Sequence, residues 1–145
     1  MKLPWAYFDT STYLKLYIKE DASEEARSLS AKNRILSSAI LLTECFSALS
    51  RKKGEGEITD KEIERLVNHI REDSSCIEIV RLTDDVIKMA EEIALQSTAR
   101  ALDAIHIASA LLFQEAVNIN LVFVTSDKKQ EKAANHQGLK TLFVG

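Results

Sequence analysis

The chain has 145 residues, 46% of them hydrophobic and 28% charged, with a formal net charge of −3. That length suits one domain with its own core, and the balance is that of an ordinary globular protein rather than a fibrous or disordered one. The slight negative charge argues against a protein that coats nucleic acid without selectivity.

Leu3–Phe8 reads as a strand, and this apolar run is too short for a secretory leader. No later stretch is long and apolar enough to span a membrane, so a soluble, cytoplasmic protein is expected. Helical patterns follow from Thr10 to about Ile18 and from Asp21 to Ala31, the second opened by Asp21 with Glu24 three residues on. Arg34–Ser37 is a second strand, and Ile40–Lys53 a helix stopped by Gly54 and Gly56. Thr59 and Glu62 form a capping box for a helix to about Asp73. Ile77–Val80 is a third strand, and Thr83 caps a helix through about Gln96. Ala101–Glu115 is the most apolar helix, and Leu121–Val124 a fourth strand. A last helix over residues 127–137 ends near Gly138, before a final strand Thr141–Val144.

Strands alternating with helices, joined by crossovers too long for hairpins, predict an α/β fold. The expected architecture is a parallel sheet of about five strands with helices on both faces, as one domain over residues 1–145. Ligands in such sheets sit beyond the carboxyl ends of the strands, where strand order reverses. Asp9 and Asp127 each follow a predicted strand. If strands one and four are neighbours, the two acids face one another.

Two more acids interrupt apolar helix faces. Glu44 has Ile40, Leu41 and Ala48 as its helical neighbours. Asp103, His106 and Ser109 are the only polar residues of Ala101–Phe113 and recur every third position. Each acid alone has a plain structural explanation: Asp9 and Asp127 as helix caps, Asp103 as a partner of a helix N-terminus, Glu44 as a boundary residue. Converging together, Asp9, Glu44, Asp103 and Asp127 could not all stay ionised without a counter-charge. A hard divalent cation with oxygen ligands is the natural one, which points to metal-dependent phosphoryl transfer.

Four stretches then carry a resemblance: Tyr7–Tyr17, Thr43–Leu49, Arg100–Ala110 and Phe123–Asp127. In these segments and their order the chain resembles a PIN-domain ribonuclease of the kind found as VapC-type toxins. The resemblance implies a PIN-like domain that hydrolyses RNA, with Asp9, Glu44, Asp103 and Asp127 as its catalytic acids. It implies Mg2+ or Mn2+ held by Asp9, Asp103 and Asp127, with Glu44 orienting the attacking water. Thr125 or Ser126 would support the last acid, Arg100 would contact a substrate phosphate, and His106 would stand behind the acids. An RNA substrate, a small antitoxin protein and a homodimer are the expected partners. The alternative is a PIN-like module that binds RNA or protein without cutting.

Other classes fit less well. A haloacid-dehalogenase-like phosphatase needs an Asp where Ser11 stands, and a receiver domain needs an acidic pair that does not precede Asp9. Cys45 and Cys76 have no Cys-x-x-Cys spacing and are expected to be buried thiols; His69, His106 and His136 lack zinc-protease spacing. Among the cations, Arg51–Lys53 read as favourable charge at a helix C-terminus. Lys128, Lys129 and Lys132 follow Asp127 directly and could rim an acidic centre.

Overall fold

The computed structural model describes residues 2–145. Five strands form one parallel sheet: β1 (Trp5–Phe8), β2 (Arg34–Ser38), β3 (Glu78–Val80), β4 (Val122–Thr125) and β5 (Lys140–Phe143), in the order β3-β2-β1-β4-β5. Strand β1 lies at the centre, with Tyr7 level with Leu36 on one side and Phe123 on the other. The chain winds one way from β1 through β2 and β3 and the other way through β4 and β5, so the order reverses between β1 and β4. The crevice expected from the sequence therefore opens there.

Seven helices cover the sheet: α1 (Thr10–Leu14), α2 (Ser23–Lys32), α3 (Leu41–Gly54), α4 (Asp60–Ser74), α5 (Asp84–Gln96), α6 (Ala101–Val117) and α7 (Lys128–His136). Side chains alternate across the sheet, and the core divides accordingly. Ala6, Phe8 and Val124 pack with Leu41, Cys45, Leu49 and Ile70 from α3 and α4. Tyr7, Leu36 and Phe123 face the other way, against Ile93, Ile107 and Ala108 from α5 and α6. Because β1 is buried on both faces, Ala6, Tyr7 and Phe8 are all fully covered.

Local signals set several helix ends as expected. The Thr59–Glu62 capping box is formed reciprocally, and the Thr83 hydroxyl accepts from the Val86 amide. Gly138, at φ 89°, takes the left-handed turn that releases the chain from α7 into β5.

Other boundaries differ from the sequence reading. Helix α1 stops at Leu14, four residues short of Ile18, and tightens into three-residue turns through Tyr17. Lys15 turns inward there, its ammonium bonded to the Asp21 carbonyl at 2.8 Å and paired with Glu20 at 3.3 Å. Helix α2 begins at Ser23 after Ala22 in the left-handed region (φ 64°), so Asp21 is no cap. Gly54 belongs to α3, and it is Gly56 that adopts positive φ (77°). Strand β5 starts one residue before Thr141. Cys45 is buried as expected, whereas Cys76 is exposed, because it sits in the turn between α4 and β3 rather than on a packed face.

Candidate active site

The carboxyl ends of β1 and β4 deliver two of the four acids. The Ser37 hydroxyl donates to the Phe8 carbonyl at 2.7 Å, and the Asp9 amide donates to the Val124 carbonyl at 3.2 Å. Asp9 therefore starts from a backbone anchored on both sides. Its carboxylate is buried and accepts from the Ser11 hydroxyl at 2.6 Å, the Thr12 amide at 3.1 Å and the Thr125 hydroxyl. Asp9 thus does cap α1, and the cap and the site are the same side chain.

Thr125, from β4, also accepts from the Asp127 amide at 3.0 Å and so links the two acids. Ser126 is tied to α1 through its amide, which donates to the Ser11 hydroxyl at 3.0 Å, and through its own hydroxyl, 3.2 Å from that of Thr12. Asp127 caps α7 with Oδ1, accepting from the amides of Lys129 and Gln130. Gln130, nearly wholly buried, donates its amide N–H to the Asp103 main-chain carbonyl at 3.1 Å. That bond joins the start of α7 to the start of α6 and sets Asp127 beside Asp103.

Glu44 approaches from α3 on the other side of the site. Its Oε1 accepts from the Thr10 hydroxyl at 2.6 Å and lies 2.6 Å from His106 Nε2. The Tyr7 hydroxyl sits 2.7 Å from the other imidazole nitrogen, Nδ1. An ionised Glu44 can only accept, so Nε2–H donates to it, and the Tyr7 hydroxyl is hydrogen-bonded to Nδ1 on the far side of the ring. The polar stripe on α6 consequently points inward. His106 and Ser109 are buried, contrary to an exposed helix edge.

Electrostatics separate the acids. Burial raises the Asp9 carboxyl above its ordinary value, against the opposing charge of His106 and its three hydrogen bonds. Burial also raises Asp103, and the negative charges of Asp127, Asp9 and Glu44 add to it while His106 opposes. Burial alone would raise Glu44; the hydrogen bond and charge of His106 and the Thr10 hydroxyl outweigh it and hold that carboxyl low. Glu44 is thus kept ionised while Asp103 is pushed toward protonation.

Four of these groups, Tyr7, Thr10, Ser11 and Gln130, are not among the site residues expected from the sequence. Tyr7 and Thr10 looked like strand and helix residues, and Ser11 and Gln130 like surface polar ones. A signal existed only for Thr10 and Ser11, since hydroxyls directly after a strand-ending Asp suit a supported carboxylate.

A family model for the PIN domain matches residues 6–136. The chain belongs to the PIN domain family. The four stretches that carried the resemblance all lie inside that span. Ribonuclease VapC45 of Mycobacterium tuberculosis is 27% identical over 139 residues, covering 95% of this chain and 94% of that protein. The fold is shared with VapBC2 of Rickettsia felis, solved bound to a promoter DNA fragment (TM-score 0.66, 19% identity, 96% and 98% of the two chains covered). It is also shared with VapC20 of Mycobacterium tuberculosis, described as a toxin that cleaves the sarcin–ricin loop (TM-score 0.64, 19% identity, 88% and 94% covered).

In this PIN domain the acids do not form a finished metal cage. Among the described residues no three Asp, Glu, His or Cys side chains close on one point. The donor set nonetheless fits a magnesium-like ion, which takes one or two carboxylates and keeps several waters. The Asp103 carboxylate receives no hydrogen bond among the described residues, is half-buried and sits in the field of three like charges. Such a group would suit a cation as its partner.

Proposed function

We propose that this PIN domain is a divalent-metal-dependent endoribonuclease, acting as the toxin of a toxin–antitoxin pair. The observation that carries the reading is the Asp103 carboxylate, half-buried without a donor and raised by burial and, beyond that, by its acidic neighbours. Membership in the PIN family and similarity to a protein named as a ribonuclease supply the substrate class.

Asp9, Asp103 and Asp127 would hold Mg2+ or Mn2+, directly or through water. When bound, the ion supplies an acidified water and neutralises charge on the scissile phosphate. The remaining work belongs to the chain. Thr125, Ser11 and the Thr12 amide hold Asp9 still, and Gln130 holds the bases of α6 and α7 together. Glu44, kept ionised by His106 and Thr10, orients the attacking water and accepts its proton. Arg100, at the start of α6, contacts a substrate phosphate. A small antitoxin and a second copy of the chain are the proposed protein partners. Similarity to a toxin–antitoxin complex of Klebsiella pneumoniae is in keeping with the first.

The test incubates purified protein with structured RNAs in magnesium or manganese, beside a chelator control and Asp9→Asn. The expected result is metal-dependent cleavage lost in both controls. Full activity in Asp9→Asn and in Asp103→Asn would sink the assignment.

A further inference from the structure

The surface cations divide by whether a carboxylate already holds them. The most basic run, Arg51–Lys53, stands in the last turn of α3, where the helix dipole favours positive charge. Two of its three cations are neutralised: Lys52 pairs with Glu57 at 3.2 Å and Glu20 at 3.8 Å and Lys53 pairs with Asp60, while Arg51 bonds the Ser47 hydroxyl. A polyanion would have to displace these partners.

The cations beyond Asp127 are placed the opposite way. Lys128 and Lys129 occupy the first turn of α7, at the positive end of the dipole, where a lysine is unfavourable. Lys132 follows Lys128 by four residues and Lys129 by three, so like charges share a face at mutual cost. Arg100 sits at the N-cap of α6, again at a positive helix end, and makes no capping bond. Among the described residues, Arg100, Lys129 and Lys132 are in no ion pair. Within the helices only Lys128 is answered, by Glu131 one turn on at 3.6 Å; nothing there accounts for Arg100, Lys129 and Lys132, and such local conflicts concentrate where function imposes them.

All of these cations line one open cleft of about 1560 Å³, which has Glu44, Asp103 and Asp127 on its wall. Lys128, Lys132 and His136 recur every fourth residue and run along one face of α7 for about 12 Å. That is the reach of roughly three to four stacked nucleotides. Leu102 is the one large apolar side chain on the lining, which leaves little for a peptide to bury.

We infer that this cleft is the substrate track. The sugar–phosphate backbone of a single RNA strand lies along the Lys128–Lys132–His136 face of α7, with Arg100 on the facing wall, and leads the scissile phosphate to Asp103 and Asp127. The inference rests on the nuclease reading for the identity of the polyanion, and it excludes the more basic α3 terminus as the contact surface.

Binding separates the two claims. A fluorescein-labelled, unstructured RNA of twelve or so nucleotides is titrated with full-length protein in EDTA, where no cleavage occurs, and anisotropy is followed over a range of salt. Lys129→Gln/Lys132→Gln is expected to weaken binding about tenfold or more and to lower the salt slope by about 1.4. The same variant should unfold at a slightly higher temperature, because a like-charge repulsion is gone. Lys52→Gln/Lys53→Gln should bind as wild type. Equal affinity for the α7 variant, or equal loss in both variants, overturns the track. A glutamate-rich peptide that competes as well as RNA of equal charge overturns its assignment to RNA in favour of an acidic protein segment. Binding that depends on α7 without cleavage in any metal leaves the track standing and refutes the nuclease reading alone.

Discussion

In two clefts of this molecule the polar groups behave oppositely. The smaller, of about 690 Å³, lies near the amino ends of β1, β2 and β3, between α2 and the end of α4. There Tyr13 and Tyr17 share a hydrogen bond at 3.1 Å, Tyr17 donates to Asp73 at 2.9 Å, His69 pairs with Asp73 at 3.3 Å, and Arg34 lies over the Trp5 ring. Burial pushes both tyrosine hydroxyls up, so they stay protonated and serve as donors. The larger cleft holds a carboxylate without a donor, Asp103, beside two lysines in no ion pair, Lys129 and Lys132. Polar groups that satisfy one another describe architecture; groups that wait for a partner describe a site.

The sharpest way to break this contrast is Asp103→Asn. In the larger cleft it should cost roughly 10²–10³-fold or more in RNA cleavage, as loss of a charge-stabilising group does. It should also raise the unfolding temperature in EDTA. Asp9 and Asp103 titrate higher in the folded chain than their ordinary value of 3.8. The folded state therefore binds these protons more tightly than the unfolded one, and stability falls as pH rises from about 3.8 through the raised values. Melting curves across that window should show the fall in wild type and a smaller one in Asp103→Asn. A variant that melts lower at neutral pH would mean that Asp103 already has a partner.

Adding the missing partner is the second test. At a hundredfold excess over its dissociation constant, magnesium or manganese should contribute about 2.7 kcal/mol. For a chain of this size that is a shift of roughly 5–10 °C. The shift should vanish in Asp103→Asn and persist in Tyr17→Phe. Next, His106→Ala frees Glu44 from its donor and should lower kcat by about 10–100-fold with little change in KM. Tyr7→Phe should produce a weaker version of the same effect by leaving Nδ1 unpaired. The smallest effect belongs to the other cleft: Tyr17→Phe should cost about 1 kcal/mol of stability and leave cleavage rates unchanged.

Much of this was legible in the chain because one sequence signal governed each feature. Alternating apolar strands and capped helices required the parallel sheet, and Asp9 and Asp127 needed only β1 and β4 to be adjacent to meet at the switch point. What escaped notice depended on distance through space. Nothing near His106 names Tyr7, 99 residues away, or Glu44, 62 away, so the relay behind the acids has no local signature. Gln130 looks like any polar helix residue until its contact with Asp103 is known. The early end of α1 has the same origin, since Lys15 leaves the helical pattern for a carbonyl that only the folded loop supplies.

The central strand is also the first one made. Asp9 leaves the ribosome early, while Thr125, which grips its carboxylate, follows 116 residues later. At ordinary translation speeds that interval is on the order of ten seconds. Until β4 arrives, β1 has a single neighbour and one open edge, and the acidic centre lacks both Asp127 and the Thr125 hydroxyl that grips Asp9. Any activity therefore waits for β4, and a chain cut short before Val122 is expected to be inert whatever else of it has folded.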